Sequence, residues 1–158
     1  MGIFKYDLNR HLTYRIARLQ ARLNAQATEL LKAHAGISLA EWRILAILSN
    51  PEIETQKDVL VAMGLDKGQI SRTVKKLEQK MLVAPASSAA KPRNRPIILT
   101  DSGKAILKTM FPIMTRRQAL LQSDLSDDEI ATLFELLTRI ERKSGHVNIS
   151  LEGDSSND

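Results

Sequence analysis

The sequence predicts a mainly α fold carrying one small β-hairpin, and three observations predict it. Apolar residues recur at steps of three and four over most of the chain. Four helix starts share one capping grammar. One stretch, 81–100, leaves that rhythm and offers two short segments with β-branched residues around a polar loop.

The elements follow in order. Leu8, Leu12, Ile16, Leu19, Leu23, Ala27 and Leu30 line one face of a helix expected over 7–34, and Gly36 stops it. Ser38-Leu39-Ala40-Glu41 is a capping box, with Ile37 and Trp42 as its hydrophobic staple, and opens a helix over 38–48. Pro51 punctuates the next connection. Thr55-Gln56-Lys57-Asp58 is a looser box opening 55–63, and Asp66-Lys67-Gly68-Gln69 opens 66–80 with Leu65 and Ile70 as staple. Met81-Leu82-Val83 and Pro96-Ile97-Ile98-Leu99-Thr100 read as the two strands, Pro96 confining its strand to an edge or its first position. A helix over 101–122 contains Pro112, which is expected to kink or break it near Thr109 to Phe111. Ser126-Asp127-Asp128-Glu129, stapled by Leu125 and Ile130, opens the last helix, 127–142. From 144 to 158 the periodicity gives way to Gly, Ser, Asn and Asp, the composition of a disordered tail.

Composition narrows the chemistry. With no Cys, the chain has no disulfide, no thiolate nucleophile and no cysteine-based zinc site. His11, His34 and His146 lie far apart and form no metal-ligand spacing. There is no nucleophile elbow and no glycine-rich phosphate loop. The expectation is therefore a protein that is not an enzyme and needs no cofactor or metal. No apolar run approaches the roughly 18 residues of a membrane span, and no apolar signal-peptide core follows Met1 to Tyr6. A soluble cytoplasmic protein is expected.

The stretch from Thr55 to Leu77 carries the functional signal. Two helices are joined by a short turn in which Gly64 can take a positive φ and Leu65 can tuck between them. That is a helix-turn-helix, whose second helix enters the major groove. Ile70, Val74 and Leu77 form the buried stripe of this second helix. The opposite face carries Lys67, Gln69, Ser71, Arg72, Lys75 and Lys76, types that contact bases or phosphates. Gly68 removes bulk there and could let DNA approach the backbone. The hairpin that follows adds Lys91, Arg93 and Arg95, suited to the negative potential of a minor groove. From Lys67 to Ile98 eight cations face one carboxylate, Glu78: a net +7, more than the +5 of the whole chain. Basic charge concentrated on a recognition helix and a hairpin is the footprint of a nucleic-acid binder.

At this point the chain resembles the MarR (multiple antibiotic resistance regulator) family over roughly Leu12 to Ile140. The resemblance rests on Leu39-Ala40-Glu41-Trp42-Arg43-Ile44-Leu45, on Asp66 to Glu78, on the hairpin with Leu99-Thr100-Asp101-Ser102-Gly103, and on Leu125 to Glu129. It implies a single domain over 7–142, with a winged helix-turn-helix lobe at 38–100 and N- and C-terminal dimerisation helices at 7–34 and 101–142. It also implies a homodimer on a pseudo-palindromic double-stranded DNA operator. A cleft for small aromatic or phenolic acids is implied too, with Arg15, His34, Trp42 and Arg43 as candidate lining. The chain departs from the family where Lys91-Pro92-Arg93 replaces a wing Asp-x-Arg, where Met81 replaces the glycine after the recognition helix, where Pro85 replaces an arginine, and where Leu60 replaces a small residue. The function expected is that of a sequence-specific dimeric transcription regulator, a repressor relieved by a small ligand. The alternative is a winged-helix module for protein–protein contact without specific DNA binding.

Overall fold

The computed structural model describes residues 7–63, 66–86 and 96–145. A 3-10 turn at Leu8–Arg10 precedes α1 (Leu12–Ala35), α2 (Leu39–Leu48), α3 (Gln56–Met63) and α4 (Lys67–Gln79). The hairpin strands β1 (Val83–Pro85) and β2 (Ile97–Leu99) follow, then α5 (Asp101–Gln122) and α6 (Asp127–Ser144). The mainly helical fold with one hairpin wing is thus present. The turn between α3 and α4 at Gly64 and Leu65, the wing tip with Lys91, Arg93 and Arg95, and the tail from His146 onward lie outside the described residues.

Local chemistry explains where the elements start and stop, and where they depart from expectation. The first helix does not begin at residue 7. Asp7 accepts from Asn9 N at 3.0 Å and caps a short turn, and His11 is extended (φ −87°, ψ 122°) before α1 begins. Gly36, at φ 62°, ends α1 in the left-handed region where a Cβ is costly. Ser38 and Glu41 close both halves of the capping box on α2, and Ser126 and Glu129 do the same on α6. α5 runs on through Pro112, so of the kink or break expected there the break does not occur. Pro112 and Lys108 are both exposed, so water can satisfy the Lys108 carbonyl that proline cannot bond. α6 continues two residues beyond the expected end, to Ser144.

The hairpin is antiparallel, with Val83 opposite Leu99, Ala84 opposite Ile98 and Pro85 opposite Ile97. Its first strand starts two residues later than expected because Met81 sits at φ 57° and turns the chain. Pro96 stands just before β2, where its carbonyl accepts from Ala86 N at 2.9 Å and no donor is asked of it. A bridge between Thr55 and Pro96, with Ile97 N donating to Glu54 O at 2.6 Å, ties the segment before α3 to the wing.

The chain divides at Thr115 and Arg116 into two units. In the first, α2 packs on α1, α3 and α4, and β1 and β2 pack on α4 and α2 respectively. Its core includes Leu31, Ile44, Leu45, Val59, Val74, Leu77 and Met110. In the second, α6 buries no residue, and Leu133, Phe134 and Leu136 are exposed. No helix of the described residues is long and apolar enough to cross a membrane. No group of three or more His, Asp or Glu among them could hold a metal ion.

Candidate nucleic-acid interface

The candidate interface is built on α3 and α4. Thr55 opens α3: its hydroxyl accepts from Asp58 N at 3.2 Å, and the Asp58 carboxylate takes Thr55 N at 2.8 Å and Thr55 Oγ1 at 2.7 Å. These bonds hold the Asp58 carboxyl below the usual aspartate range. Asp66 opens α4 by accepting from Gln69 N at 3.0 Å. Val59 on α3 and Ile70, Val74 and Leu77 on α4 then bury their side chains in the same core. Thr73 is buried as well, its hydroxyl satisfied by Gln69 O at 2.9 Å.

This burial turns the remaining face of α4 outward. Lys67, Gln69, Arg72, Lys75 and Lys76 are exposed together on one arc, with Ser71 half-buried at its margin. A Cβ at Gly68 would lie 3.3 Å from Arg72 Nη1 and 3.0 Å from Asp66 Oδ1. The missing side chain therefore makes room for the Arg72 guanidinium, which folds back toward the N-terminal end of α4. In a helix docked in a major groove, that end meets the base edges.

The far end of α4 is firmly anchored. Leu82 N donates to Leu77 O and Met81 N to Glu78 O, both at 2.9 Å, which is the paired bonding of a Schellman motif. Met81 supplies the left-handed residue of that motif (φ 57°) where glycine is the usual choice. Thr100 joins this end to α5. Its hydroxyl donates to Met81 O at 2.6 Å and accepts from Gly103 N at 3.1 Å. Gly103 lies so close that a Cβ would collide with the Leu82 carbonyl oxygen.

Lys80, counted among the basic residues of this stretch, is paired. Its ammonium lies 2.9 Å from Glu41 Oε1 and donates to Glu41 Oε2 at 3.0 Å and to Gly36 O at 3.4 Å. Burial pushes the Glu41 carboxyl up, but hydrogen bonds from Ser38 and the Lys80 ammonium outweigh it and hold the group below the usual range. Nothing in the sequence pattern marked this contact between residues 39 positions apart.

The four candidate effector residues do not converge within the chain. Arg15 and His34 stand 19 residues apart on α1, about 28 Å at 1.5 Å per residue. Both are exposed. Arg43 donates to Asn24 Oδ1 at 3.1 Å, linking α2 to α1. Trp42 is core: it is 7% exposed and meets the Phe111 ring edge-on at 5.5 Å. This unit also holds a cleft of about 970 Å³ that none of the four lines. Leu48, Pro51, Ile53, Ile97, Leu107 and Phe111 line it, together with Lys104 and Lys108.

Known proteins place this architecture. The family model described as MarR family matches residues 35–91. The HTH-type transcriptional regulator TcaR of Staphylococcus aureus (strain Newman) is 31% identical over 130 residues, covering 78% of this chain and 85% of that one. A MarR/EmrR family transcriptional regulator from Acinetobacter sp. ADP1 superposes with a TM-score of 0.83 at 28% identity, over 90% of this chain and all of that one. The S. aureus MepR–DNA complex superposes at 0.76 and 21% identity, over 84% of this chain and 96% of that one. PcaV of Streptomyces coelicolor, solved with its natural ligand, superposes at 0.73 and 22% identity, over 91% and 99%. The chain belongs to the MarR family of DNA-binding transcriptional regulators.

Proposed function

We propose that this regulator acts as a homodimer that lays α4 of each copy in the major groove of one half of a pseudo-palindromic operator. The observation that carries this reading is the exposed arc of Lys67, Gln69, Arg72, Lys75 and Lys76 opposite the buried stripe of Ile70, Val74 and Leu77. Arg72 and Gln69 are assigned to base edges, and Lys67, Ser71, Lys75 and Lys76 to phosphates. Lys91, Arg93 and Arg95 are assigned to the adjacent groove on the strength of charge alone. The MepR–DNA complex is a neighbour of the same fold and supports the assignment.

Two exposed apolar faces support the dimer. One lies on and just before α1 (Leu8, Leu12, Ile16, Leu19), the other on α6 (Leu133, Phe134, Leu136). A second copy presents the same surfaces, so a symmetric pair can cover both. Repression relieved by a small ligand completes the reading. PcaV, a neighbour of this fold, was solved with its natural ligand. In this chain the cleft beside Phe111 offers apolar walls and two lysines to a small aromatic acid. Phe111 touches Trp42, the single tryptophan, so occupancy should change its fluorescence and weaken DNA binding together.

Selection of duplexes from a random library, followed by footprinting, tests the proposal. The expected result is a protected inverted repeat, two chains per duplex, and an affinity that falls steeply with salt. Failure to enrich any sequence, or binding indifferent to salt, would favour a protein–protein module instead.

A further inference from the structure

Glu41 is the only ionisable side chain buried among the described residues (3% exposed). Its capping duty does not explain this. The corresponding box on α6 works with Glu129 exposed, its carboxylate bound to Ser126 N at 2.8 Å. In the first box Ser38 N donates to Glu41 Oε2 at 2.7 Å, while the Lys80 ammonium sits 2.9 Å from Oε1. The same ammonium reaches the carbonyl of Gly36, the residue that ends α1. Lys80 is the C-cap of α4. The pair therefore joins the end of the recognition helix to the elbow between α1 and α2.

This changes what Lys80 can do. A lysine in a basic stretch beside a DNA-reading face would ordinarily be given to a phosphate. Here its charge is already matched by a buried carboxylate, and it points to the elbow. We infer that Glu41 and Lys80 are positioning residues for DNA binding: the pair sets the angle at which α4 is presented, and Lys80 makes no phosphate contact. The lever is long. α4 has 13 residues, about 20 Å, so a 5° pivot at its last turn carries the Arg72 end through more than about 1 Å. Base-edge hydrogen bonds do not tolerate such a shift.

The inference rests on the reading of α4 as the DNA-contacting helix, and the test separates the two. Glu41→Gln keeps an oxygen for Ser38 N but loses the charge. Lys80→Met keeps the apolar stem but loses the ammonium. Each variant, their combination, Lys80→Arg and Arg72→Ala would be titrated at several salt concentrations. The probes are a duplex selected by the unaltered protein and a scrambled duplex of equal length. Glu41→Gln and Lys80→Met should each weaken binding to the selected duplex by roughly five- to tenfold, and their combination by no more than either alone. The slope of log affinity against log salt should stay unchanged, and Lys80→Arg should bind almost normally. If Lys80 instead touches phosphate, Lys80→Met will flatten the slope by about two units per dimer, and Glu41→Gln, by freeing the cation, will bind more tightly. Either result overturns the inference, and should Lys80→Met fail to fold, Glu41→Gln alone decides. An Arg72→Ala protein that binds both duplexes normally would remove the reading of α4 and this inference with it. A weakened Arg72→Ala beside an unaffected Glu41→Gln would remove the inference alone.

Discussion

α4 and α6 are written alike and end up in different surroundings. Each opens on a side-chain oxygen that takes the amide three residues on, Asp66 from Gln69 N at 3.0 Å and Ser126 from Glu129 N at 3.3 Å. Each carries an apolar stripe at steps of three and four. Yet α4 buries Ile70, Thr73, Val74 and Leu77, whereas α6 buries nothing and leaves Phe134 half exposed. The difference shows what amphipathicity reports: a stripe needs cover, but the pattern does not say whose atoms supply it. For α4 the cover is the chain's own core. For α6 we assign it to a second copy.

Substitutions on the two stripes should therefore fail in different ways. Leu77→Ala removes a fully buried side chain and should cost about 2–5 kcal/mol of folding stability, read by denaturant unfolding at any protein concentration. Gly103→Ala comes next, at about 1–3 kcal/mol, because the new methyl meets the Leu82 carbonyl, a backbone atom held by Thr100 N. Phe134→Ala should leave the first unit folded and loosen association by roughly tenfold, read by light scattering against the 17.6 kDa chain mass. An unaltered association constant would take α6 out of the interface. The smallest effect has the opposite sign. Met81→Gly relieves a left-handed residue and should stabilise by up to about 1 kcal/mol. A destabilised Met81→Gly would mean that the side chain does more at the helix end than its exposure suggests.

Much of this was legible because local chemistry decided it. The capping boxes at Ser38 and Ser126, the cap at Asp66, the glycine stop at Gly36 and the placement of Pro96 all depend on a few adjacent residues. The exposed arc of α4 follows from helical period and a buried stripe. Three features were not legible. The left-handed φ of Met81 carries no glycine in this chain to announce it, and only the family's usual glycine at that position hints at the turn. Pro112 suggested a kink or a break, and nothing local showed that the helix continues, since an exposed helix face tolerates the missing bond. The Glu41–Lys80 pair depends on how helices are placed in space, which no window along the sequence contains.

The contrast sharpens most at Arg72, whose guanidinium lies over Gly68 at the N-terminal end of α4. If α4 reads bases while the wing and the lysines supply charge, Arg72→Ala should lose about 1–3 kcal/mol on the selected operator and relax base preference at one position per half-site. Binding to scrambled duplex should change far less. Arg93→Ala or Arg95→Ala should instead weaken both duplexes by similar factors and lower the salt slope by about two units per dimer. The decisive measurement is the ratio of operator to scrambled affinity for Arg72→Ala, taken at matched salt. A ratio that collapses while Arg93→Ala leaves it intact is the predicted result; an unchanged ratio for Arg72→Ala would contradict the assignment of α4 as the base-reading helix.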